Sequence, residues 1–342
     1  MIDGETPLTF ERLADRPGLE VVDRLEQQRY RLHTPDPVEP EPASPAAFRY
    51  PVGRAVTIST SELVLPNVVS VLVRDESGDL VTEVEHLDAV SLSPGSYTVE
   101  LSPQIKTYVK VQGPLEVTAD LTEIRFEFGG ERAVKLGARS RHERPAATVT
   151  TTEAPADVMA AVETFGSALK TTDPERSYPT LRGHPPALEL GDSLDIPDAI
   201  EVPDTGVRLE LPPRLDVIYS ASPLAYYLGA DVERGPTPRL VTDDGFEYSF
   251  DTPRGVENEL VRTLKQVFFL DCVTRTEGLY KLDLHERDAI EPYVDLDFAD
   301  LYGRSVGEQV AAYLEVPFDV LADHLPQWRL TAHVEPAPAN LE

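Results

Sequence analysis

The sequence predicts a multidomain chain, with an N-terminal all-β sandwich followed by an α/β (or α+β) domain. Three observations carry this. From Phe48 to Ala138, short β-branched and aromatic runs alternate apolar with polar residues. Clusters of Gly, Pro, Asp and Ser separate those runs at short intervals. Beyond Asp157 the apolar spacing becomes helical in some stretches and strand-like in others.

In chain order, residues 1–34 form a lead-in segment, where Leu19 to Leu32 can make a hairpin or one strand and a short helix. Residues 35–46, with Pro35, Pro37, Pro40 and Pro42 among acidic residues, read as an extended, solvated linker. The sandwich domain spans 47–144. Its strands are expected at Val56-Thr57-Ile58-Ser59, Val69 to Arg74, Tyr97 to Leu101, Tyr108 to Val111, Leu115 to Thr118 and Ile124 to Phe128. Turns are expected at Asp75 to Asp79, Ser93-Pro94-Gly95, Gly113-Pro114 and Gly129-Gly130. Strands of this size at this spacing favour a sandwich.

Within this domain, Val71 to Gly78 followed by Leu92-Ser93-Pro94-Gly95-Ser96-Tyr97-Thr98-Val99-Glu100-Leu101 resembles the transthyretin-like or carboxypeptidase-regulatory-like β-sandwich. There a strand runs into an Asp…Gly turn, and a later Pro-Gly-x-Tyr-x-Val enters the next strand. The resemblance implies a structural or recognition module rather than an enzyme.

Residues 145–206 read as a linker with one helix, Asp157 to Lys170, and an irregular remainder. Val158, Ala161, Val162, Phe165 and Leu169 form the helix's apolar stripe. The second domain, 207–334, is expected to hold strands at Val207 to Leu211, Asp216 to Ser220, Tyr280 to Leu284 and Trp328 to Val334. Its helices are expected at Ser222 to Gly229, about Val256 to Thr274, 306–315 and 318–325, with a hairpin around Asp243-Asp244-Gly245. Residues 335–342 read as a tail or linker.

Charge bounds the environment. Sixty acidic against 31 basic residues give a formal net charge of −29, and only Lys106, Lys110, Lys135, Lys170, Lys265 and Lys281 are lysines. At ordinary ionic strength such a charge opposes compaction. In molar salt the Debye length falls to about 3 Å and the repulsion is screened. Carboxylates keep a surface hydrated, whereas lysine exposes an apolar stem that salt drives toward association. The composition resembles that of haloarchaeal proteins and implies a high-salt cytoplasm. The first residues show no basic or apolar export signal, and no apolar run approaches the roughly 18 residues of a membrane span. The global field disfavours nucleic acid.

Few residues suggest chemistry. Val267-Phe268-Phe269-Leu270-Asp271-Cys272 superficially resembles the nucleophile strand of caspase-like peptidases, which also need a nearby His, usually in His-Gly. The upstream candidate, His184, stands in the reversed order Gly183-His184-Pro185. Leu260, Val261, Leu264, Val267 and Phe268 fit one helical stripe leading into Cys272, so a packed helix with a buried thiol is the simpler reading. A single Cys excludes an intrachain disulfide, and neither His285 nor His324 has metal-ligand spacing, so no metal or other cofactor is expected. Gly-x-Gly-x-x-Gly, phosphate-loop, Gly-x-Ser-x-Gly and His-Glu-x-x-His motifs are absent.

The basic cluster opposes the global trend. Arg132, Lys135, Arg139, Arg141 and Arg144, with His142, fall within thirteen residues, and Arg176 and Arg182 lie in a later irregular loop. Either these residues seal a domain interface against carboxylates, or they bind an anionic small ligand or acidic chain. The function expected from these observations is a non-catalytic protein-interaction or scaffold protein. Its partner would be another protein or a further domain of the same polypeptide. The alternatives are the N-terminal part of a caspase-like or CHAT-type peptidase whose catalytic domain lies beyond residue 342, and an anionic small-ligand binder.

Overall fold

The computed structural model describes residues 7–279 and 281–325. Ten strands occupy its first part: β1 (Leu8–Arg12), β2 (Gly18–Asp23), β3 (Gln28–His33), β4 (Glu41–Ala43), β5 (Arg54–Leu65), β6 (Val71–Arg74), β7 (Leu80–Val84), β8 (Ala89–Leu101), β9 (Lys106–Ala119) and β10 (Ile124–Arg139). They join into one antiparallel sheet of order β1-β2-β3-β5-β10-β9-β8-β6-β7, with β4 pairing β5. Leu19 to Leu32 forms the β2–β3 hairpin.

The long strands pair in two blocks. One joins β5, β10, β9 and β8 through 62–65, 124–127, 115–119 and 89–92; the other uses 54–60, 132–139, 106–113 and 95–101. Register shifts separate the blocks, and on β10 the break falls at Gly129 and Gly130, both at positive φ. Such bulges bend a strand and raise its local twist. Residues from both ends of the path, Leu8 and Leu19 as well as Val71 and Val84, share one apolar interior with Phe126, Phe128 and Val134. The sheet therefore wraps around its core.

A second core begins with α1 (Pro155–Glu163), reached through β11 (Thr148–Thr151), which pairs in parallel with β12 (Ala187–Leu190). β13 (Val207–Leu211), α2 (Leu215–Leu228), β14 (Asp231–Arg234), β15 (Arg239–Thr242) and β16 (Glu247–Ser249) follow. The helices α3 (Val256–Thr274), α4 (His285–Ile290), α5 (Phe298–Tyr302), α6 (Val306–Glu315) and α7 (Phe318–Leu321) complete the described chain. The small mixed sheet has the order β14-β13-β15-β16. Val158 and Val162 of α1 pack with Leu209, Ile218, Leu224, Val267, Leu270 and Val310. Local chemistry fits these ends: Ser305 and Glu308 form a capping box on α6, and Gly229 closes α2 in the left-handed region.

Two strand expectations fail. Asp216 to Ser220 lies inside α2, where Val217, Ile218, Ala221, Leu224, Ala225 and Leu228 bury one helical face. A five-residue apolar alternation cannot by itself distinguish that face from a strand. Lys281 to Leu284 is irregular, and Leu282 is exposed, so no core draws it into a sheet. The helix expected over 157–170 begins at Pro155, ends at Glu163 and continues as a 3-10 turn to Ala168. The strand expected at Trp328 to Val334 lies outside the described residues. Among the described residues no helix is long and apolar enough to cross a membrane.

Candidate functional site

Cys272 lies within α3, not at the end of a strand. Burial pushes its thiol pKa up; Arg275 and Ser177 pull the other way. His184 is exposed, its ring Nδ1 lies 2.7 Å from Pro185 O, and its backbone N–H donates to His142 O at 2.7 Å. A raised thiol is a poor nucleophile, because the thiolate is the reacting form.

Next to Cys272 stands a group that sequence inspection misses. Arg176 and Asp271 are both fully buried, and Arg176 Nη2 reaches Asp271 Oδ1 at 2.9 Å and Oδ2 at 2.8 Å. Arg176 Nη1 donates to Thr172 O at 2.7 Å and to Gln309 Oε1 at 2.9 Å, while Tyr227 OH donates to Asp271 Oδ2 at 2.7 Å. Burial opposes the Arg176 charge, but Asp271 overrides it and holds the guanidinium above its ordinary pKa. This network fastens the irregular 171–182 segment onto α2, α3 and α6. Arg182 belongs to the same packing: it donates to Arg176 O at 2.6 Å and lies over the rings of Tyr227 and Phe268.

The remaining basic residues divide by position. Arg132 donates to Gln112 O at 2.7 Å beside the β10 bulge. Lys135 is exposed, and Arg144 is exposed with its backbone N–H on Glu26 Oε1. Arg141 donates to Pro103 O at 3.0 Å and lines a concavity of about 520 Å³. Among the described residues none of Arg132, Lys135, Arg139, Arg141 or Arg144 forms a salt bridge. Arg132, Arg139 and Arg141 meet carbonyl and hydroxyl oxygens.

Arg139 does sit where the two cores meet. Phe48, Tyr50, Ala55 and Tyr108 form a small apolar cluster there, against which Leu279 packs, and the Tyr50 and Tyr108 rings stack at 4.9 Å. Arg139 Nη1 donates to Pro51 O at 3.2 Å and Nη2 to Thr180 Oγ1 at 3.1 Å. Lys170 Nζ donates to Ser140 O at 2.9 Å, and Arg49 Nη2 to Gly278 O at 3.4 Å.

Beside these contacts a concavity of about 310 Å³ is lined by Arg139, Lys170 and His142 together with Leu8, Leu25 and Val52. Arg139 is 3% exposed, yet its Nε has no hydrogen-bond partner; the same holds for His142 Nε2. Burial lowers the Lys170 pKa to about 8, reinforced by Arg139 and opposed by Asp23 and Glu26. Burial also lowers His142 to about 4, with Lys170 and His184 adding to it and Asp23 opposing. His142 holds a φ of 55°, in the left-handed region. Sequence reading placed Arg139 and His142 in one cluster but saw Lys170 only as the end of a helix. Among the described residues no group of three or more His, Cys, Asp and Glu is placed to hold a metal ion.

Neither a family model, nor a curated protein, nor a solved structure matches the chain.

Proposed function

We propose that this is a non-catalytic protein-interaction and scaffold protein of a high-salt, haloarchaeal-type cytoplasm. In this reading a β-sandwich module, formed by the two pairing blocks of the large sheet, is joined to an α/β domain. The carrying observation is that the side chains best suited to chemistry in the second core are committed to packing. Arg176, Asp271, Tyr227 and Gln309 bond one another, leaving only the buried Arg176 Nε without a partner among them, and the neighbouring thiol is held protonated. The net charge of −29 and the six lysines support the salt-rich setting. The partner would be another protein or a further domain of the same polypeptide.

Cross-linking in cells of origin at their own salt concentration tests this. The expected result is a defined partner cross-linked to the β module. Turnover of a substrate by the pure protein, abolished by Cys272→Ala, overturns it.

One observation favours a second reading, an anionic small-ligand binder: Arg139 and Lys170 line one concavity without a carboxylate partner among the described residues. The two-loop version of that reading loses support, because Arg176 is fully buried and engaged by Asp271.

A further inference from the structure

We propose that the concavity at the junction of the two cores binds a small organic carboxylate with an apolar body, held by Arg139 and Lys170. This rests on the anion-binding reading and names its ligand class.

The donor set comes first. Arg139 enters at the end of β10, where its Cβ direction is fixed by the ladder with Lys106. Two of its nitrogens bond Pro51 O and Thr180 Oγ1, and these contacts orient the guanidinium without neutralising it. Its Nε is buried without an acceptor, as are those of Arg141, Arg176 and Arg262, so the cavity meets the guanidinium through its outer face. Lys170 adds an ammonium with three donors, and its hydrogen bond among the described residues is to Ser140 O. Charge-assisted bonds from these two groups are the strongest the cavity can offer, and they match an anionic oxygen.

The charges around the cavity are compatible with this. No Asp or Glu lines it, in a chain that carries 60 of them. The nearest acidic groups acting on Lys170 are Asp23 and Glu26. Asp23 Oδ1 accepts the Leu25 and Glu26 backbone N–H groups at 3.0 and 3.1 Å. Glu26 Oε1 accepts those of Glu143 and Arg144 at 2.6 and 3.2 Å. Both therefore have local donors of their own outside the cavity wall, although Asp23 Oδ2 is buried without a partner.

The rest of the lining selects the ligand's body. Leu8, Leu25, Pro51, Val52 and Ala146 supply apolar walls, and about 310 Å³ is the lower end of the range for small-molecule sites. An inorganic phosphate or a chloride ion would satisfy the cations but leave those walls unfilled. A carboxylate on a ring or short hydrocarbon uses both parts.

Benzoate, benzyl alcohol and inorganic phosphate, each titrated into the full chain in molar potassium chloride, test the proposal by methyl NMR and calorimetry. The expected result is saturable benzoate binding that shifts the Leu8, Leu25 and Val52 methyls, with benzyl alcohol and phosphate much weaker. Removing a charge-assisted bond weakens binding roughly ten- to a hundredfold, so Lys170→Met is expected to fall in that range. Ala146→Trp, a bulky change at an exposed position of the cavity rim, is expected to weaken benzoate binding in a folded protein. If phosphate binds as tightly as benzoate, the ligand class is wrong and the anion site stands. If no probe binds, or Lys170→Met leaves benzoate binding unchanged, both are overturned.

Discussion

Breaking the buried ion pair beneath Cys272 should be among the most destabilising changes in the second core. Arg176 and Asp271 are each 0% exposed, and Arg176 has three further neighbours to disappoint or be disappointed by: Thr172 O, Gln309 and, through Asp271, Tyr227. Removing one partner of such a pair leaves an uncompensated buried charge, costing about 3–5 kcal/mol. Arg176→Met and Asp271→Leu should each fall in that range. In the double variant no charge is stranded, and what is lost is hydrogen bonding at Gln309, Thr172 and Tyr227, at about 1 kcal/mol net each. The double variant should therefore lose no more than either single one, far short of their sum. Urea unfolding read by circular dichroism gives the values. Because both groups are buried, the differences should be nearly the same in dilute and in molar salt, since screening acts on exposed charges. Single variants that each lose less than about 1 kcal/mol, and add in the double, would refute a coupled buried pair.

Other outcomes follow from the junction and from α3. Lys170, lowered from 10.5 to about 8, is neutralised more easily folded than unfolded, so its charge opposes folding below pH 8 and the penalty vanishes above 10.5. Lys170→Met should stabilise the free protein at pH 7 by about 1–2 kcal/mol after loss of its bond to Ser140, a gain that urea titrations should see shrink toward pH 10.5. His142, depressed from 6.5 to about 4, contributes stability that is complete above pH 6.5 and lost as pH falls toward 4. Allowing for its partial exposure, His142→Asn, which tolerates the left-handed backbone, should flatten the stability profile between pH 6.5 and 4 by about 1–2 kcal/mol. An unchanged profile would contradict the buried neutral ring. Cys272 should react with an aromatic disulfide reagent about tenfold more slowly in the folded than in the urea-unfolded chain at pH 7.5. Equal rates would mean an accessible, activated thiol.

Much of the architecture is visible in the sequence because it repeats a simple period. Val56 to Ser59 and Ile124 to Phe128 alternate as a half-buried strand must, and the structure places them in the neighbouring strands β5 and β10, in different pairing blocks. The long helix α3 is equally plain in its stripe from Leu260 to Val267. Short segments are less determined. Asp216 to Ser220 carries too few residues to separate the two periods, and only the extension to Leu228 shows the helical face. The site is harder still. Arg176 and Asp271 are 95 positions apart, and nothing in either local sequence marks the pairing. Lys170 did leave a signal, since it is one of six lysines in a chain that otherwise favours arginine. The arginine cluster pointed toward the junction, but spacing could not reveal that Arg132 braces a bulge while Arg139 turns inward.

Whether the molecule acts by contact or by chemistry is best decided by a Cys272→Ala/His184→Ala double variant placed in the gene's native locus, with cross-linked partners and growth at the native salt concentration read together. Unchanged partners and unchanged growth are expected of a scaffold whose thiol is packed and whose histidine is exposed and bound to Pro185. Lost growth in cells where the variant is folded and still cross-linked to the same partner would contradict it.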